Sequence, residues 1–296
     1  MKTLPFIFIL FFLTSCASVK NSGPALEAGF RYSSYGPTSN PGNDYWTDVG
    51  KQMAARFSGA KPAAIWIVGV VDGDGTYLNF NCETKDPNIR CGYVNMNEDM
   101  LTAFDKEGFD VWLQVEAGNA DMDELIDIVL NQYKHHPCVV GFGVDVEWYQ
   151  STDGPEGTPI TDEVAKHWVK AIQKHDPDYR LFLKHWDEAW MPPTVRDGIM
   201  FINDSQQFES FDQILSEFIE WGKTFAPAPV GFQYGYPADK LWWQELQDPP
   251  KDIGQALLDN IPNTQGLFWV DFTIMEMFPP QLTYVVVTKR EGTPLR

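Results

Sequence analysis

One stretch of the sequence decides the fold: Val139-Val140-Gly141-Phe142-Gly143-Val144-Asp145-Val146-Glu147-Trp148, an apolar run that ends in two carboxylates two residues apart. If the run is a β-strand, Asp145 and Glu147 lie on one face, because successive side chains of a strand alternate between its two faces. Val144 and Val146 then point the other way, into apolar packing. The pattern predicts an acidic pair at the carboxyl end of a buried strand, where (β/α)8 barrels carry their functional groups.

Further apolar segments alternate with amphipathic ones along the chain. The predicted strands are residues 29–34, 64–71, 110–116, 139–148, 180–186, 199–203, 230–236 and 266–272. The predicted helices are residues 44–57, 97–107, 121–135, 161–174, 210–224 and 252–260, with a short piece at 188–196. Thr161 and Ser210 are typical residues for capping the amino-terminal end of a helix.

This alternation predicts an α/β fold, a single-domain (β/α)8 TIM barrel. Each helical crossover returns right-handed to the same sheet, so eight such units close into a parallel barrel. A doubly wound open sheet is the alternative. It is disfavoured because the turn Tyr35-Gly36-Pro37-Thr38 after the first strand lacks the glycine-rich phosphate-binding pattern.

The amino-terminal segment has the pattern of a targeting signal. Met1-Lys2-Thr3 precedes an apolar run over residues 4–13 that is too short to span a membrane, and Leu13-Thr14-Ser15-Cys16 follows. The segment resembles a bacterial lipoprotein signal peptide, which implies cleavage before a lipidated Cys16. We expect residues 1–15 as signal peptide, 16–27 as lipidated tether, 28–281 as barrel and 282–296 as a carboxyl-terminal extension. A lipidated Cys16 would anchor the protein to the bacterial cell envelope, at the outer membrane or cell surface. The alternative interpretation of this segment is a soluble amino-terminal helix.

The net charge and the tryptophan content limit the classes of molecule that the protein is expected to bind. A formal net charge of -19 disfavours nucleic acid and anionic lipid surfaces, so the membrane is reached only through the lipid, whereas 11 tryptophans suit a carbohydrate substrate. We expect a monomer without a cofactor or metal. Cys82 and Cys91 flank a polar loop and form either a disulfide or free thiols, and Cys138 is expected to be a buried thiol. His135-His136, before Pro137, are interpreted as the cationic end of a helix.

Polar and aromatic residues concentrate where the predicted strands end. Such density suits the binding of a polyhydroxylated ligand better than it suits stability. The predicted substrate-binding residues are Gln114, Glu116, Trp186, Asp204, Gln206, Tyr234, Trp269 and Asp271. Glu147 is the predicted general acid, because a neighbouring carboxylate and desolvation raise a carboxyl pKa; Asp145 assists it. The alternative is a structural pair that binds backbone donors at the barrel rim.

The segment Gly141-Phe142-Gly143-Val144-Asp145-Val146-Glu147 resembles the strand-four motif Asp-Gly-x-Asp-x-Asp-x-Glu of family 18 glycoside hydrolases, the chitinases and endo-β-N-acetylglucosaminidases. The resemblance implies that Glu147 is the catalytic acid and that Asp145 orients the N-acetyl group of the substrate. It implies substrate-assisted hydrolysis of N-acetylglucosamine-containing glycans with retention, and a sugar subsite floored by Trp269. Val140 and Gly143 stand where the family has its first two aspartates, so the deepest inward acid is absent.

Three other functions remain open. A family 25-like muramidase also uses an Asp-x-Glu pair, but Arg31 stands where that family's first strand begins with aspartate. A glycosidase with an enzyme nucleophile would pair Glu147 with Asp239 or Asp271. A surface glycan-binding lipoprotein would keep the barrel and its aromatic cleft without cleaving the ligand.

Overall fold

The computed structural model describes residues 25–151 and 157–280. Its strands are β1 (Glu27–Tyr32), β2 (Lys61–Asp72), β3 (Gly75–Leu78), β4 (Ile89–Cys91), β5 (Asp110–Val115), β6 (Val139–Asp145), β7 (Arg180–Lys184), β8 (Ile199–Asn203), β9 (Val230–Tyr234) and β10 (Thr264–Val270). Its helices are α1 (Asn43–Ala54), α2 (Glu98–Glu107), α3 (Met122–Tyr133), α4 (Asp162–Gln173), α5 (Phe211–Phe225), α6 (Lys240–Trp243), α7 (Pro249–Asn260) and α8 (Asp271–Met277). The predicted signal peptide, Cys16 and residues 282–296 lie outside the described residues.

The strands close into a barrel. The order is β1-β10-β9-β8-β7-β6-β5-β2, and β1 also pairs in parallel with β2. β3 runs antiparallel to the end of β2 and β4 pairs with β3, so these two strands extend the sheet beyond the barrel. The predicted single-domain (β/α)8 barrel is confirmed, whereas β3, β4, α6 and α8 were not among the predicted elements.

Several strand ends differ from the prediction. β1 begins at Glu27, inside the range expected to be tether. β6 ends at Asp145, and Val146–Trp148 form a 3-10 turn instead of continuing the strand. In the same way, Asp271 and Phe272 begin α8 and do not belong to β10. Glu147 and Asp271 therefore lie on a turn and at a helix start, where strand alternation no longer applies.

Three of the described helices, α3, α4 and α5, begin at a side-chain cap. Asp121 accepts hydrogen bonds from the backbone of Asp123 at 2.9 Å and Glu124 at 3.2 Å, before α3. Thr161 and Ser210 cap α4 and α5 in the same way, as predicted. The apolar faces of the helices pack on the outside of the barrel and form the main core. None of the helices in the described residues is long and apolar enough to cross a membrane.

The barrel interior has an apolar middle layer and a polar upper layer. The middle layer consists of Ala63, Ile65, Trp112, Phe182, Met200, Ile202 and Phe268. Two residues further along the same strands, the inward positions are polar: Gln114 follows Trp112, Lys184 follows Phe182, and Asp204 follows Ile202. Side-chain alternation thus places a charged layer at the carboxyl end of the barrel.

The structure decides between the two states left open for Cys82 and Cys91, and it confirms the buried thiol predicted for Cys138. Cys82 and Cys91 form a disulfide that joins β4 to the loop after β3. Cys138 is a buried free thiol. The disulfide fixes the extension that β3 and β4 add to one side of the barrel.

Candidate active site

A buried lysine lies between two carboxylates at the carboxyl end of the barrel. Lys184 Nζ is 2.9 Å from Asp145 Oδ2 and also forms an ion pair with Asp204. Gln114 Nε2 donates to the same Asp145 oxygen at 3.4 Å. Burial raises the pKa of Asp145, and the charge of Lys184 opposes this rise. Burial acts to lower the pKa of Lys184, but Asp145 and Asp204 outweigh it and hold that pKa well above its ordinary value. Lys184 is therefore a permanent cation.

Glu116 lies beside this cluster, directly after β5. Its Oε1 accepts a hydrogen bond from the Tyr35 hydroxyl, and its Oε2 accepts one from Val71 N at 3.0 Å. Burial, with the charge of Asp145 adding to it, raises the pKa of Glu116 to about 7. The predicted place of Glu116 at the barrel mouth is correct, and near neutral pH its carboxyl exists in both protonation states.

Glu147 has a different environment from Asp145. It lies on the 3-10 turn after β6, and no hydrogen bond or ion pair to its side chain occurs among the described residues. Burial raises the pKa of Glu147 to about 7; the charge of Lys184 opposes this shift and that of Asp145 adds to it. A carboxyl group with this pKa and no internal partner is suited to exchange a proton with a ligand at neutral pH.

Glu147 opens into a pocket of about 450 Å³. The other lining residues are Trp186, Asp204, Ser205, Gln206, Gln207 and Glu217. Trp186 is 43% exposed and stacks on His185, with ring centroids 5.2 Å apart. The predicted residues Trp186, Asp204 and Gln206 thus do lie together with Glu147. An exposed indole beside carboxyl and amide groups is a suitable surface for a sugar ring.

The prediction that Asp145 and Glu147 share one face of a strand is wrong. The strand ends at Asp145 because Tyr149 pairs with Gly118 after β5, and Tyr149 N closes the turn on Val146 O at 3.0 Å. Val144 and Val146 are buried in the outer core, as expected. The turn leaves Asp145 inside the barrel and directs Glu147 to the pocket, so the two acids have separate surroundings.

Asp271 is structural. Arg31 Nη1 donates to its Oδ1 at 2.6 Å, while Ser33 N and Ser33 Oγ donate to its Oδ2 at 2.6 and 2.9 Å. Asp239 is likewise buried and accepts from Phe208 N at 2.7 Å. The predicted substrate-binding role of Asp271 is therefore wrong, and neither residue has a carboxylate free to act as an enzyme nucleophile.

Trp269 and Tyr234 face away from the barrel interior. Both are fully buried in the core between strands and helices. Trp269 Nε1 donates to Thr273 Oγ1 at 2.8 Å, and Tyr234 OH donates to Pro250 O at 3.1 Å. Their predicted roles in substrate binding are wrong, because the pleat turns their neighbours Phe268 and Gln233 inward instead.

Gly143 faces inward, as the sequence predicts. A Cβ atom at this position would lie 2.0 Å from Cζ of Phe182, so the phenyl ring fills the space in which the family 18 motif carries its deepest acid. The charged layer instead contains Lys184, which the sequence interpretation missed. The alternation Phe182-Leu183-Lys184 was a usable signal, because it assigns the lysine to the same inward face as Phe182.

Several buried polar atoms of this layer have no hydrogen-bond partner among the described residues. They are Gln114 Oε1, Asp145 Oδ1, Asp204 Oδ1 and Gln233 Nε2. Unpaired buried donors and acceptors are costly, and they concentrate where a ligand or water completes them. The layer therefore offers both donors and acceptors to a polar ligand.

A larger cavity of about 580 Å³ opens on the other side of the turn that carries Glu147. Its lining includes Tyr149, Trp168 and acidic residues of the α3 start, but none of the inward-facing barrel residues. Among the described residues, Glu98, His135 and His136, which are of types that can bind a metal ion, lie close together in the outer layer, away from both cavities. The groups at the barrel mouth that could act on a ligand are thus the carboxyl, lysine and amide groups of the charged layer.

No protein-family model and no curated protein matches this chain. Among solved structures it is similar to a β-D-glucuronidase from Dictyoglomus thermophilum, with a TM-score of 0.49 and 14% identity over 83% of this chain and 44% of that chain. A β-1,4-D-mannanase from Cryptopygus antarcticus gives a TM-score of 0.49 and 11% identity over 85% of this chain and 88% of that one. An endoglucanase from Pseudomonas stutzeri gives a TM-score of 0.45 and 14% identity over 83% of this chain and 86% of that one. The chain spans less than half the length of the glucuronidase.

Proposed function

We propose that the protein is a glycoside hydrolase in which Glu147 is the general acid and base. One observation carries the proposal: a carboxyl group with a pKa of about 7, and with no partner in the part of the chain that the structure describes, faces a pocket beside the exposed indole of Trp186. Protonating a glycosidic oxygen at neutral pH requires such a raised pKa. Trp186 supplies an apolar face for the sugar ring, and Asp204 and Gln206 supply polar groups for its hydroxyls.

The substrate class we propose is N-acetylglucosamine-containing glycans, cleaved with retention by substrate assistance. The resemblance of the β6 segment to the family 18 motif supports this assignment. So does Asp145 Oδ1, a buried acceptor with no partner among the residues described, which suits an acetamido N–H. Lys184 would hold Asp145 in place through the other oxygen, so that the acetamido carbonyl is directed to the anomeric carbon. No enzyme nucleophile is then needed.

The decisive experiment compares wild type, Glu147→Gln and Glu217→Gln on chitooligosaccharides and N-glycans. Glu147→Gln keeps the side-chain shape and should lower the cleavage rate at least about 100-fold while binding is retained. Glu217→Gln is the matched control, because Glu217 lines the same pocket but is exposed. If neither wild type nor variant cleaves and binding is unchanged, the protein is a glycan-binding protein. Cleavage of peptidoglycan alone would favour the muramidase.

Two further measurements test the mechanism. Product anomers observed by NMR should show retention, and inversion would exclude substrate assistance. Cello-oligosaccharides, which have a hydroxyl in place of the acetamido group, should bind without being cleaved. Cleavage of these substrates at a comparable rate would contradict the role that we propose for Asp145.

We also propose that the protein is lipid-anchored to the cell envelope through Cys16. The support is the sequence pattern of residues 1–16. Metabolic labelling with a radioactive fatty acid in a bacterial host should label the wild type and not Cys16→Ser. Equal labelling of both proteins would exclude Cys16 as the attachment site.

A further inference from the structure

A second cluster of chemically active side chains lies in the outer layer, between α2 and the segment that joins α3 to β6. It consists of Glu98, His135 and His136. One ligand atom from each residue lies within 4.8 Å of the other two. Both His135 Nε2 and His136 Nε2 approach the same oxygen, Glu98 Oε1, at 3.0 and 3.2 Å. None of the three lines the pocket that holds Glu147.

The orientation of His136 is fixed by a carboxylate. Its side chain is only 3% exposed, and Nδ1 is 2.6 Å from Asp105 Oδ2. Asp105 is itself held in place, because its Oδ1 accepts from Cys138 N at 2.9 Å. An ionised carboxylate only accepts hydrogen bonds, so the ring proton of neutral His136 is on Nδ1 and Nε2 presents a lone pair.

That lone pair points into the cluster. His136 Nε2 is buried and has no hydrogen-bond partner in the described part of the chain, although Glu98 Oε1 is 3.2 Å away. A nitrogen lone pair next to a carboxylate oxygen is repulsive unless a cation lies between them. His135 Nε2 faces the same point from the solvent side, since His135 and Glu98 are 56% and 41% exposed. The three groups therefore converge on a position suited to a cation.

We propose that Glu98, His135 and His136 bind a divalent transition-metal ion of the Zn²⁺ class. Two imidazoles and one carboxylate suit Zn²⁺, whereas Mg²⁺ and Ca²⁺ select oxygen ligands. A carboxylate that holds the second ring nitrogen of a ligating histidine, as Asp105 does, is the usual support of such sites. The open side leaves room for water as a further ligand. This differs from the sequence interpretation of His135-His136 as a helix end, which lacked Glu98 and Asp105.

Such an ion would link the start of α2 to the segment that leads into β6. Because the ligands converge only in the folded chain, binding would stabilise the fold. The competing arrangement is a doubly protonated His136 that donates to both Asp105 and Glu98 and leaves no room for metal. The two arrangements differ in their response to Zn²⁺.

The test is calorimetric titration of untagged, metal-free full chain with ZnCl₂ near neutral pH. We expect one Zn²⁺ per chain, with affinity lowered at least about tenfold in His135→Ala and in Asp105→Asn. The His135 side chain is 56% exposed, so its truncation removes a ring contact with His136 but little buried surface. His167→Ala is the matched control, an exposed histidine paired with Asp123 at 2.7 Å, and should bind as wild type does. MgCl₂ should give no binding.

Thermal unfolding gives a second measurement. A hundredfold excess of Zn²⁺ over its dissociation constant should raise the Tm of wild type by about 5 °C and leave that of His135→Ala unchanged. The proposal is overturned if wild type takes up no more Zn²⁺ than His135→Ala, or if His167→Ala weakens binding equally. Neither readout depends on glycosidase activity.

Discussion

The two ends of the barrel interior bury carboxylates beside a cation in opposite ways. At the amino-terminal end, both oxygens of Glu27 are occupied, by Trp112 Nε1 at 2.5 Å and Arg180 Nη2 at 2.9 Å. At the carboxyl end, Asp145 and Asp204 share Lys184, and each keeps one buried oxygen that has no partner within residues 25–151 and 157–280.

This difference separates stability from function within one fold. A buried carboxylate whose two oxygens both accept hydrogen bonds can stabilise the barrel. A charged layer that keeps unpaired buried oxygens costs stability, and such layers occur where a ligand supplies the missing hydrogen bonds. The amino-terminal end therefore has a structural role, and we assign binding to the carboxyl end. The predictions below test this assignment, in order of decreasing expected effect.

Replacing the cation at each end of the barrel, Lys184 or Arg180, should give the largest difference in the free energy of unfolding. Lys184→Met leaves Asp145 and Asp204 buried without a counter-charge and should lower the free energy of unfolding by about 3–5 kcal/mol. Arg180→Met at the other end is the control. Its partner Glu27 has a pKa of about 7 and can become neutral, so the loss should be about 1–3 kcal/mol. Urea unfolding at neutral pH measures both. An equal or larger loss for Arg180→Met would contradict the comparison.

The pH dependence of stability should report Glu27. Burial raises its pKa from 4.5 to about 7, with Arg180 opposing, so between these values the folded state holds a proton that the unfolded state has lost. Its contribution is fully present below 4.5 and is lost as the pH rises through 7, by roughly 3 kcal/mol in total.

Glu27→Gln should remove this titration. Urea unfolding of both proteins at several pH values should show a wild-type stability that falls relative to the variant as the pH rises. Glu116 and Glu147 titrate in both proteins and cancel in the difference. Parallel curves would exclude a raised pKa at Glu27.

The boundary between the apolar and charged layers should be sensitive to volume. In Gly143→Ala the new Cβ would lie 2.0 Å from the Phe182 ring, so overpacking should cost about 1–3 kcal/mol. The double variant Gly143→Ala with Phe182→Leu should recover part of this loss, again by urea unfolding. If Gly143→Ala is as stable as wild type, the ring does not occupy the place of the missing acid.

Glu116 and Glu147, at the carboxyl end of the barrel, each have a pKa of about 7, and the pH–rate profiles of variants should distinguish their roles. A general acid must be protonated, so kcat/KM should fall above that pH, about tenfold per pH unit. Because we assign the acid to Glu147, Glu116→Gln should keep this alkaline limb. Loss of the limb in Glu116→Gln would transfer the acid role to Glu116.

Much of the site was predictable because strand alternation is local. Gln114 and Asp145 lie at inward positions of β5 and β6, so their place at the barrel mouth follows from a period of two. Glu116 and Asp204 each lie one residue beyond their strand and keep the same alternation. The same rule failed for Glu147, Tyr234, Trp269 and Asp271. For Glu147 and Asp271 the strand had already ended. For Tyr234 and Trp269 the face that pointed inward was assigned wrongly.

The (β/α)8 barrel and the concentration of polar residues at the strand ends could be predicted from the sequence, because periodicity and helix caps are properties of neighbouring residues. The spacing of Cys82 and Cys91 left disulfide and free thiols open, and the fold brings the two residues together as a disulfide. Only the tertiary structure decided which acids are free. Lys184 neutralises Asp145 and Asp204, Arg31 and Ser33 occupy Asp271, and a turn closed against Gly118 directs Glu147 to the pocket. Each of these outcomes depends on contacts between distant strands, because the pKa and partners of a carboxyl group are set by whatever surrounds it in space.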